Sequence, residues 1–224
     1  ISQIKRNIMD EKIIIEEDKG KSPLIYISAV FLMLLLVLMI VPHYSVKIDP
    51  RPTAIPTVED VFLFEKNLST ETRTLKTRED FLDFVTPENP IIKTTANKIA
   101  SYGCSGEKVC HAKAIYFFVR DNFEYISDPV NFEYVELPQD FIISGGGDCE
   151  SGTLVVANLM EAVGIDSQLV FIPGHAFLRI KLPEARNKYK QDGWIYLDWT
   201  CKNCEFGEIP LNNIDAYKTF LEVN

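Results

Sequence analysis

One long apolar run near the start of the chain differs from every later stretch. Residues 24–41 read LIYISAVFLMLLLVLMIV and contain no charged side chain. A helix of this length can cross the hydrocarbon core of a bilayer, and Pro42 directly after the run favours the end of that helix. A buried helix of a globular protein would carry a polar face, which this run lacks beyond Tyr26 and Ser28. The run therefore predicts a transmembrane helix over residues 24–41.

The orientation of this helix follows from the charges around it. The basic residues before the run are Lys5, Arg6, Lys12, Lys19 and Lys21, whereas only Lys47 and Arg51 follow it closely. By the positive-inside rule we expect residues 1–23 in the cytoplasm and the rest of the chain outside the cell. A cleaved signal peptide is the alternative, but its apolar region is shorter and ends in small residues, whereas VPHYSV follows here. An uncleaved anchor in the lipid bilayer is favoured.

A proline-rich stretch separates the apolar run from the rest of the chain. Its prolines are Pro42, Pro50, Pro52 and Pro56. Proline donates no backbone hydrogen bond and disfavours helix interiors and central strands, so this density suits an extended segment. We expect residues 42–76 to form a stalk or linker and residues 77–224 to form one domain outside the membrane.

The periodicity of this domain is first helical and then strand-like. Residues 77–103 predict two helical pieces interrupted by prolines, and residues 110–126 and 149–164 each predict a core helix. SQLVFI, HAFLRIKL and GWIYLDW then predict three strands of an antiparallel sheet. Helices followed by a sheet indicate an α+β fold, in which the helix that begins at Cys149 packs on the sheet.

Composition and charge exclude one class of partner. The chain has 224 residues, 46% of them hydrophobic, and a formal net charge of −9. Such a chain can bury a core. Binding to phosphate groups requires clustered lysine and arginine rather than an acidic excess. We therefore expect no nucleic-acid partner.

Three residues at the ends of predicted elements suggest nucleophilic catalysis. Cys149 begins a helix, where the helix dipole favours a thiolate, and the glycines at 145–147 would let a substrate approach the backbone. His175 begins a strand and Asp198 ends another, so the imidazole is a candidate general base and the carboxylate a candidate to orient it. The backbone N–H of Cys149 would form part of an oxyanion hole. Each residue alone has an ordinary structural explanation.

Together these segments resemble a known family. GGGDCESGTLVVANLMEAVGI, GHAFLRI and YLDWT are similar to the three signature segments of the transglutaminase-like superfamily, in the order Cys149, His175, Asp198. The resemblance covers roughly residues 105–210 and implies a papain-like fold with Cys149 on the central helix. It implies a cysteine hydrolase or acyltransferase that acts on amide bonds of a protein or peptide substrate without a cofactor. One anchor followed by this domain resembles archaeal membrane-anchored proteins of the superfamily.

The resemblance leaves parts of the reaction open. Trp199 follows Asp198 where many relatives have proline, and the second oxyanion donor is one of three candidates: Asn131, Tyr134 or Gln139. Hydrolysis is slightly favoured over acyl transfer because water is the default acceptor. A non-catalytic binding or assembly module on the same fold is the alternative function, although such a module would be expected to lose one of the three residues.

The remaining cysteines are Cys104, Cys110, Cys201 and Cys204. In a domain outside the cell they are disulfide candidates, with three pairings open. Zinc binding is the alternative because CKNC has ligand spacing, but the other pair is spaced C-x5-C rather than the usual C-x2-4-C. A zinc- or redox-responsive module built on these four residues is therefore a third functional hypothesis.

Overall fold

The structure is a computed structural model that describes residues 22–62, 77–129 and 134–223. The chain divides into two compact units, Ile1–Tyr44 and Ser45–Asn224. The five basic residues of the predicted cytoplasmic segment lie outside the described residues, and so do residues 63–76 of the predicted stalk.

The apolar run forms one helix, α1, over Pro23–Ile48. Its large apolar side chains are exposed from Leu24 to Val41, and its length and composition suffice to cross a membrane. The helix passes through Pro42, where the sequence predicted its end. Proline removes one helical hydrogen bond and its ring crowds the carbonyl four residues earlier, but its fixed φ still allows the helix to continue, and helices that span membranes tolerate proline.

Helices make up most of the second unit before its sheet. They are α2 (Val58–Val61), a 3-10 helix (Glu79–Phe84), α3 (Pro90–Gly103), α4 (Lys108–Asn122), α5 (Pro138–Ser144) and α6 (Cys149–Ala162). A short 3-10 helix (Asn187–Tyr189) and α7 (Leu211–Ile214) lie between strands of the sheet. The Asn89 side chain accepts a hydrogen bond from the Ile91 N–H, and Pro90 occupies the first turn, which fixes the start of α3. The two helical pieces predicted after residue 77 and the helix predicted from Cys149 are confirmed.

Four antiparallel strands form the main sheet in the order β5-β4-β3-β6. They are β3 (Ser167–Ile172), β4 (His175–Ile180), β5 (Ile195–Leu197) and β6 (Thr219–Glu222). Two further strands, β1 (Glu124–Tyr125) and β2 (Gly146–Gly147), pair in parallel with each other. The three predicted strands and the α+β fold class are confirmed. β6 and the β1–β2 pair were missed; β1 and β2 have two residues each, too few for a periodic signal.

Helix α6 packs on this sheet, as the sequence predicted. Ser151 to Met160 are all buried, and Leu154 and Leu159 share one core with Leu169 and Leu178 of the central strands. The Thr153 hydroxyl donates to the Ala176 carbonyl at 3.2 Å and so ties the first turns of α6 to the start of β4. This hydrogen bond fixes the distance between the start of α6 and the start of β4.

Part of the predicted stalk packs on the domain. The Thr53 N–H donates to the Gly103 carbonyl at 2.9 Å, and Val61 is buried. Asp49 forms an ion pair with Lys113, whose side chain is 2% exposed and also donates to the Pro50 carbonyl. A buried ammonium group requires such acceptors. Residues 49–62 are therefore part of the folded unit rather than a spacer.

Removal of the Asp49 carboxylate should destabilise the domain strongly. The Asp49→Ala variant leaves the Lys113 ammonium buried without its anion, and we expect a loss of about 3–5 kcal/mol in the free energy of unfolding. Burial raises the pKa of Asp49, but hydrogen bonds from Lys113, Tyr189 and Lys188 outweigh it and hold the pKa well below its ordinary value. This stabilisation is present above the ordinary carboxyl pKa and is lost as the pH falls through the depressed value.

Denaturant unfolding of the wild type and the variant at several pH values measures both effects. The double variant Asp49→Ala/Lys113→Met is the control, because an apolar side chain needs no counter-ion, and it should regain most of the lost stability. Equal stability of the wild type and Asp49→Ala at neutral pH would contradict this account.

Candidate active site

Cys149 is the first residue of α6 and carries a free, partly exposed thiol. The Asp148 side chain caps the helix by accepting a hydrogen bond from the Ser151 N–H at 2.8 Å. The other backbone N–H groups of this first turn have no carbonyl partner within the helix, so they place positive potential beside the thiol.

His175 begins β4 directly after Gly174, whose φ of 74° makes the turn from β3. The imidazole Nε2 lies 2.9 Å from Asp198 Oδ2, and the Cys149 side chain is near enough to raise the pKa of the ring. Since Nε2 is engaged with the carboxylate, Nδ1 is the nitrogen left for the sulfur. The structure thus brings together all three residues that the sequence predicted as a catalytic set.

The Asp198 carboxylate is fully buried at the end of β5 and is held by further hydrogen bonds. Oδ1 accepts from the Thr200 N–H at 3.1 Å and from the Thr200 hydroxyl at 2.7 Å. Oδ2 accepts from Asn213 Nδ2 at 3.3 Å, in addition to His175. These bonds offset the cost of burying the charge and fix the plane of the carboxylate. Sequence reasoning identified neither Thr200 nor Asn213, since nothing in their local pattern marks them.

The electrostatics of His175 favour its charged form. Burial lowers its pKa, but the hydrogen bond to Asp198 and the nearby Cys149 side chain outweigh burial and raise the pKa to about 10. At neutral pH this places an imidazolium between a carboxylate and the sulfur. An imidazolium in this position is an acid that can protonate a leaving group.

Trp199 connects the aspartate to the helix of the nucleophile. Its indole is 1% exposed, and Nε1 donates to the Cys149 carbonyl at 3.3 Å. The ring packs edge-on against Phe141 at 5.4 Å and lies directly over Gly152. The tryptophan that departs from the family pattern therefore fills the space between the end of β5 and the first turns of α6.

The glycines before Cys149 have a different role from the one the sequence suggested. Gly145 has a φ of 91° and ends α5, and Gly146 and Gly147 are buried in β2. A Cβ at Gly146 would lie 2.2 Å from the Glu124 carbonyl oxygen, and one at Gly147 would lie 2.8 Å from the Phe141 ring. For Gly146 and Gly147 the expectation that they admit a substrate is wrong, because the protein's own atoms fill that space, whereas nothing lies within 4 Å of a Cβ added at Gly145.

The candidates for a second oxyanion donor are not resolved by these contacts. The Tyr134 hydroxyl donates to Glu136 at 3.3 Å, and Gln139 Oε1 is buried without a hydrogen-bond partner within residues 134–223 or the other described ranges. Asn131 lies outside the described residues. The identity of this donor stays a prediction.

The other cysteines are paired as Cys104–Cys110 and Cys201–Cys204. Sulfurs joined in this way are not thiolates that could bind zinc, and no cluster of histidine, cysteine and acidic residues suited to a metal occurs in the described parts of the chain. The Cys201 N–H donates to the Asp198 carbonyl at 3.2 Å. The second disulfide thus closes the loop that directly follows the aspartate.

Crowding at Gly152 should loosen the contact between Trp199 and α6. In Gly152→Ala the added Cβ would lie 2.1 Å from the indole, so the ring must move, and we expect a loss of about 1–3 kcal/mol in the free energy of unfolding. Thermal unfolding measures the loss. The variant Gly152→Ala/Trp199→Phe lacks the indole atoms that clash and should recover part of it, whereas a double variant less stable than Gly152→Ala would argue against this cause.

The raised pKa of His175 can be tested by NMR titration of the imidazole nitrogens. We expect His175 to titrate near pH 10 and to shift towards the ordinary value of about 6.5 in Cys149→Ser and in Asp198→Asn. Because the folded-state pKa is raised, this charge stabilises the fold fully below the ordinary histidine pKa and ceases to do so as the pH rises through about 10. His111, whose pKa burial lowers, is the internal control and should not respond. Titration of His175 near 6.5 in the unmodified chain would refute the ion pair.

The chain is similar to two solved structures and to one family model. Among solved structures, the chain is similar to a candidate cysteine protease of Cytophaga hutchinsonii, with 19% identity and a TM-score of 0.40 over 66% of this chain and 47% of that one. It is also similar to Legionella pneumophila LapG, with 18% identity and a TM-score of 0.38 over 66% of this chain and 81% of that one. The chain thus spans about half the length of the Cytophaga protein. No curated protein matched the chain. Residues 93–199, slightly less than half of the chain and including Cys149, His175 and Asp198, match the family model of the transglutaminase-like superfamily.

Proposed function

We propose that this chain is a membrane-anchored cysteine hydrolase that cleaves amide bonds of a protein or peptide outside the cell. One observation carries the proposal: the His175 imidazole lies between the Cys149 thiol and the buried Asp198 carboxylate. A cysteine at a helix start, an imidazole in hydrogen-bond contact and a carboxylate that orients the ring are the parts that nucleophilic catalysis at an acyl carbon requires.

The proposed reaction has two halves. The Cys149 sulfur attacks the carbonyl carbon, the new oxyanion accepts hydrogen bonds from the N–H groups at the start of α6, and the His175 imidazolium protonates the departing nitrogen as the C–N bond breaks. This leaves a thioester on Cys149. The neutral imidazole then removes a proton from water as the water oxygen attacks the thioester carbon, and the C–S bond breaks to release a carboxylic acid and the Cys149 thiolate beside the imidazolium. Asp198 keeps the ring in one orientation throughout.

Hydrolysis is preferred to acyl transfer because water always reaches a partly exposed thiol, whereas transfer requires a bound second substrate. The non-catalytic alternative has no observation in its favour, since the three side chains are present and in contact. A zinc-binding module is disfavoured by the two disulfides.

Membrane anchoring is supported by the exposed apolar surface of α1. Lipid is the surrounding in which such side chains are stable, and the basic residues before the helix favour a cytoplasmic N-terminus. The domain would then lie outside the cell, where Cys104–Cys110 and Cys201–Cys204 would persist as disulfides.

Alkylation of Cys149 by iodoacetamide tests the central claim. We expect the full chain to react well below pH 8.5, the approximate pKa of a free thiol, because the imidazolium stabilises the thiolate. In His175→Ala the reaction should become fast only near that pH. Mass spectrometry of the intact chain gives the rate at each pH.

Two controls make this result specific. Cys149→Ala should take up no label, since the other four cysteines are paired. Asp198→Asn should reduce the rate at neutral pH but less than His175→Ala, because the ring is kept and only its orientation and charge are disturbed. Identical pH profiles for the wild type and His175→Ala would overturn the proposal and favour a binding module.

A further inference from the structure

An exposed strand lies directly beside the nucleophile. β1 pairs in parallel with β2, and β2 leads through Asp148 into Cys149. Glu124, Tyr125 and the following Ile126 are all exposed, and no other strand in the described ranges pairs with β1. This edge has no part in the reaction chemistry described above.

The hydrogen bonds of β1 show which peptide groups remain open. The Glu124 N–H donates to the Gly145 carbonyl at 3.1 Å, and the Ile126 N–H donates to the Gly147 carbonyl at 2.8 Å. Successive residues of a strand direct their peptide groups to opposite edges, so the N–H and C=O of Tyr125 face away from β2. They have no hydrogen-bond partner within the described part of the chain. An open edge of this kind is a template for another extended chain.

The Tyr125 side chain connects this edge to the site. It is 50% exposed, and its ring centroid lies 6.4 Å from that of Trp199, whose indole donates to the Cys149 carbonyl. Burial raises the pKa of the Tyr125 hydroxyl, and the nearby acids Asp148 and Asp128 raise it further. Trp199 thus joins the Tyr125 ring to the first residue of α6.

The charge near the outer edge of β1 favours one kind of bound peptide. Glu124 is exposed, and Asp128 and Asp148 lie near Tyr125. The cations near this edge only partly offset these charges, because Arg120 pairs with Asp121 and the charge of Lys202 acts on Glu124 and Asp121. The acidic side chains of the region, Asp121, Glu124, Asp128 and Asp148, therefore outnumber its two cations. A bound segment with a lysine or arginine would complement this surface.

We propose that the outer edge of β1 binds the substrate as an extended peptide, through the backbone N–H and C=O of Tyr125, and prefers a segment that carries a basic side chain. This inference rests on the proposed function, because it concerns the same nucleophile. It names the substrate class: an unfolded, cationic stretch of polypeptide, presented to Cys149 as an added strand.

Peptide chloromethyl ketones test the inference on the full chain. The Cys149 sulfur displaces chloride and forms a thioether, so intact-mass spectrometry gives a labelling rate. The probes are acetylated tripeptides with lysine or glutamate at one position and with each backbone amide methylated in turn. Every rate is divided by the iodoacetamide rate of the same sample, which removes changes in thiol reactivity.

We expect methylation of the probe amide that faces Tyr125 to slow labelling about fivefold, because it removes one hydrogen bond. Methylation of the next amide should have little effect on the rate. The lysine probe should react severalfold faster than the glutamate probe, and salt should narrow the gap. Glu124→Gln should also reduce the rate difference between the lysine and glutamate probes. The matched control is Glu107→Gln, which removes an exposed acid just before the start of α4 and should leave the difference unchanged.

The possible failures are distinguishable. If all probes react alike while iodoacetamide still shows an activated thiol, the strand-edge inference is overturned and the proposed function stands. If the thiol is not activated at all, the proposed function fails and this inference fails with it.

Discussion

The buried hydrogen bond between Asp198 and His175 is the interaction on which the rest of the site depends. A carboxylate with no exposed surface is stable only with partners on both oxygens, and Thr200, Asn213 and His175 supply them. The same bond keeps the imidazole charged and aimed at the sulfur. Among the described residues, the acidic side chain with the least exposed surface is thus also the one that positions the imidazole.

This arrangement requires β5 and α6 to stay in register. Trp199 follows the aspartate in the chain and lies across Gly152 of α6, so side-chain packing couples the position of the carboxylate to that of Cys149. The Thr153 contact to the start of β4 fixes the third member in the same way. The geometry of the candidate site is therefore a consequence of how α6 packs on the strands beside it.

The sequence predicted the features that depend on residues close together in the chain. The period of the apolar residues gave the helices and the strands β3, β4 and β5, and the order of Cys149, His175 and Asp198 gave the candidate set. It did not give Thr200 and Asn213, or the ion pair of Asp49 and Lys113, which are 64 residues apart. Such partners acquire their meaning only when the fold brings them together, and no periodic pattern records them.

The glycines at 145–147 also show that a sequence motif does not identify which atoms it will contact in the fold. A glycine-rich entry to a helix indicates close approach, but the approaching atoms can belong to a substrate or to the protein. Here Glu124 of β1 takes the place next to Gly146. Because β1 fills that place, its own outer edge becomes the surface that an incoming chain meets. The recognition surface is thus displaced by one strand from where the sequence alone would put it, while the nucleophile stays where the motif indicates.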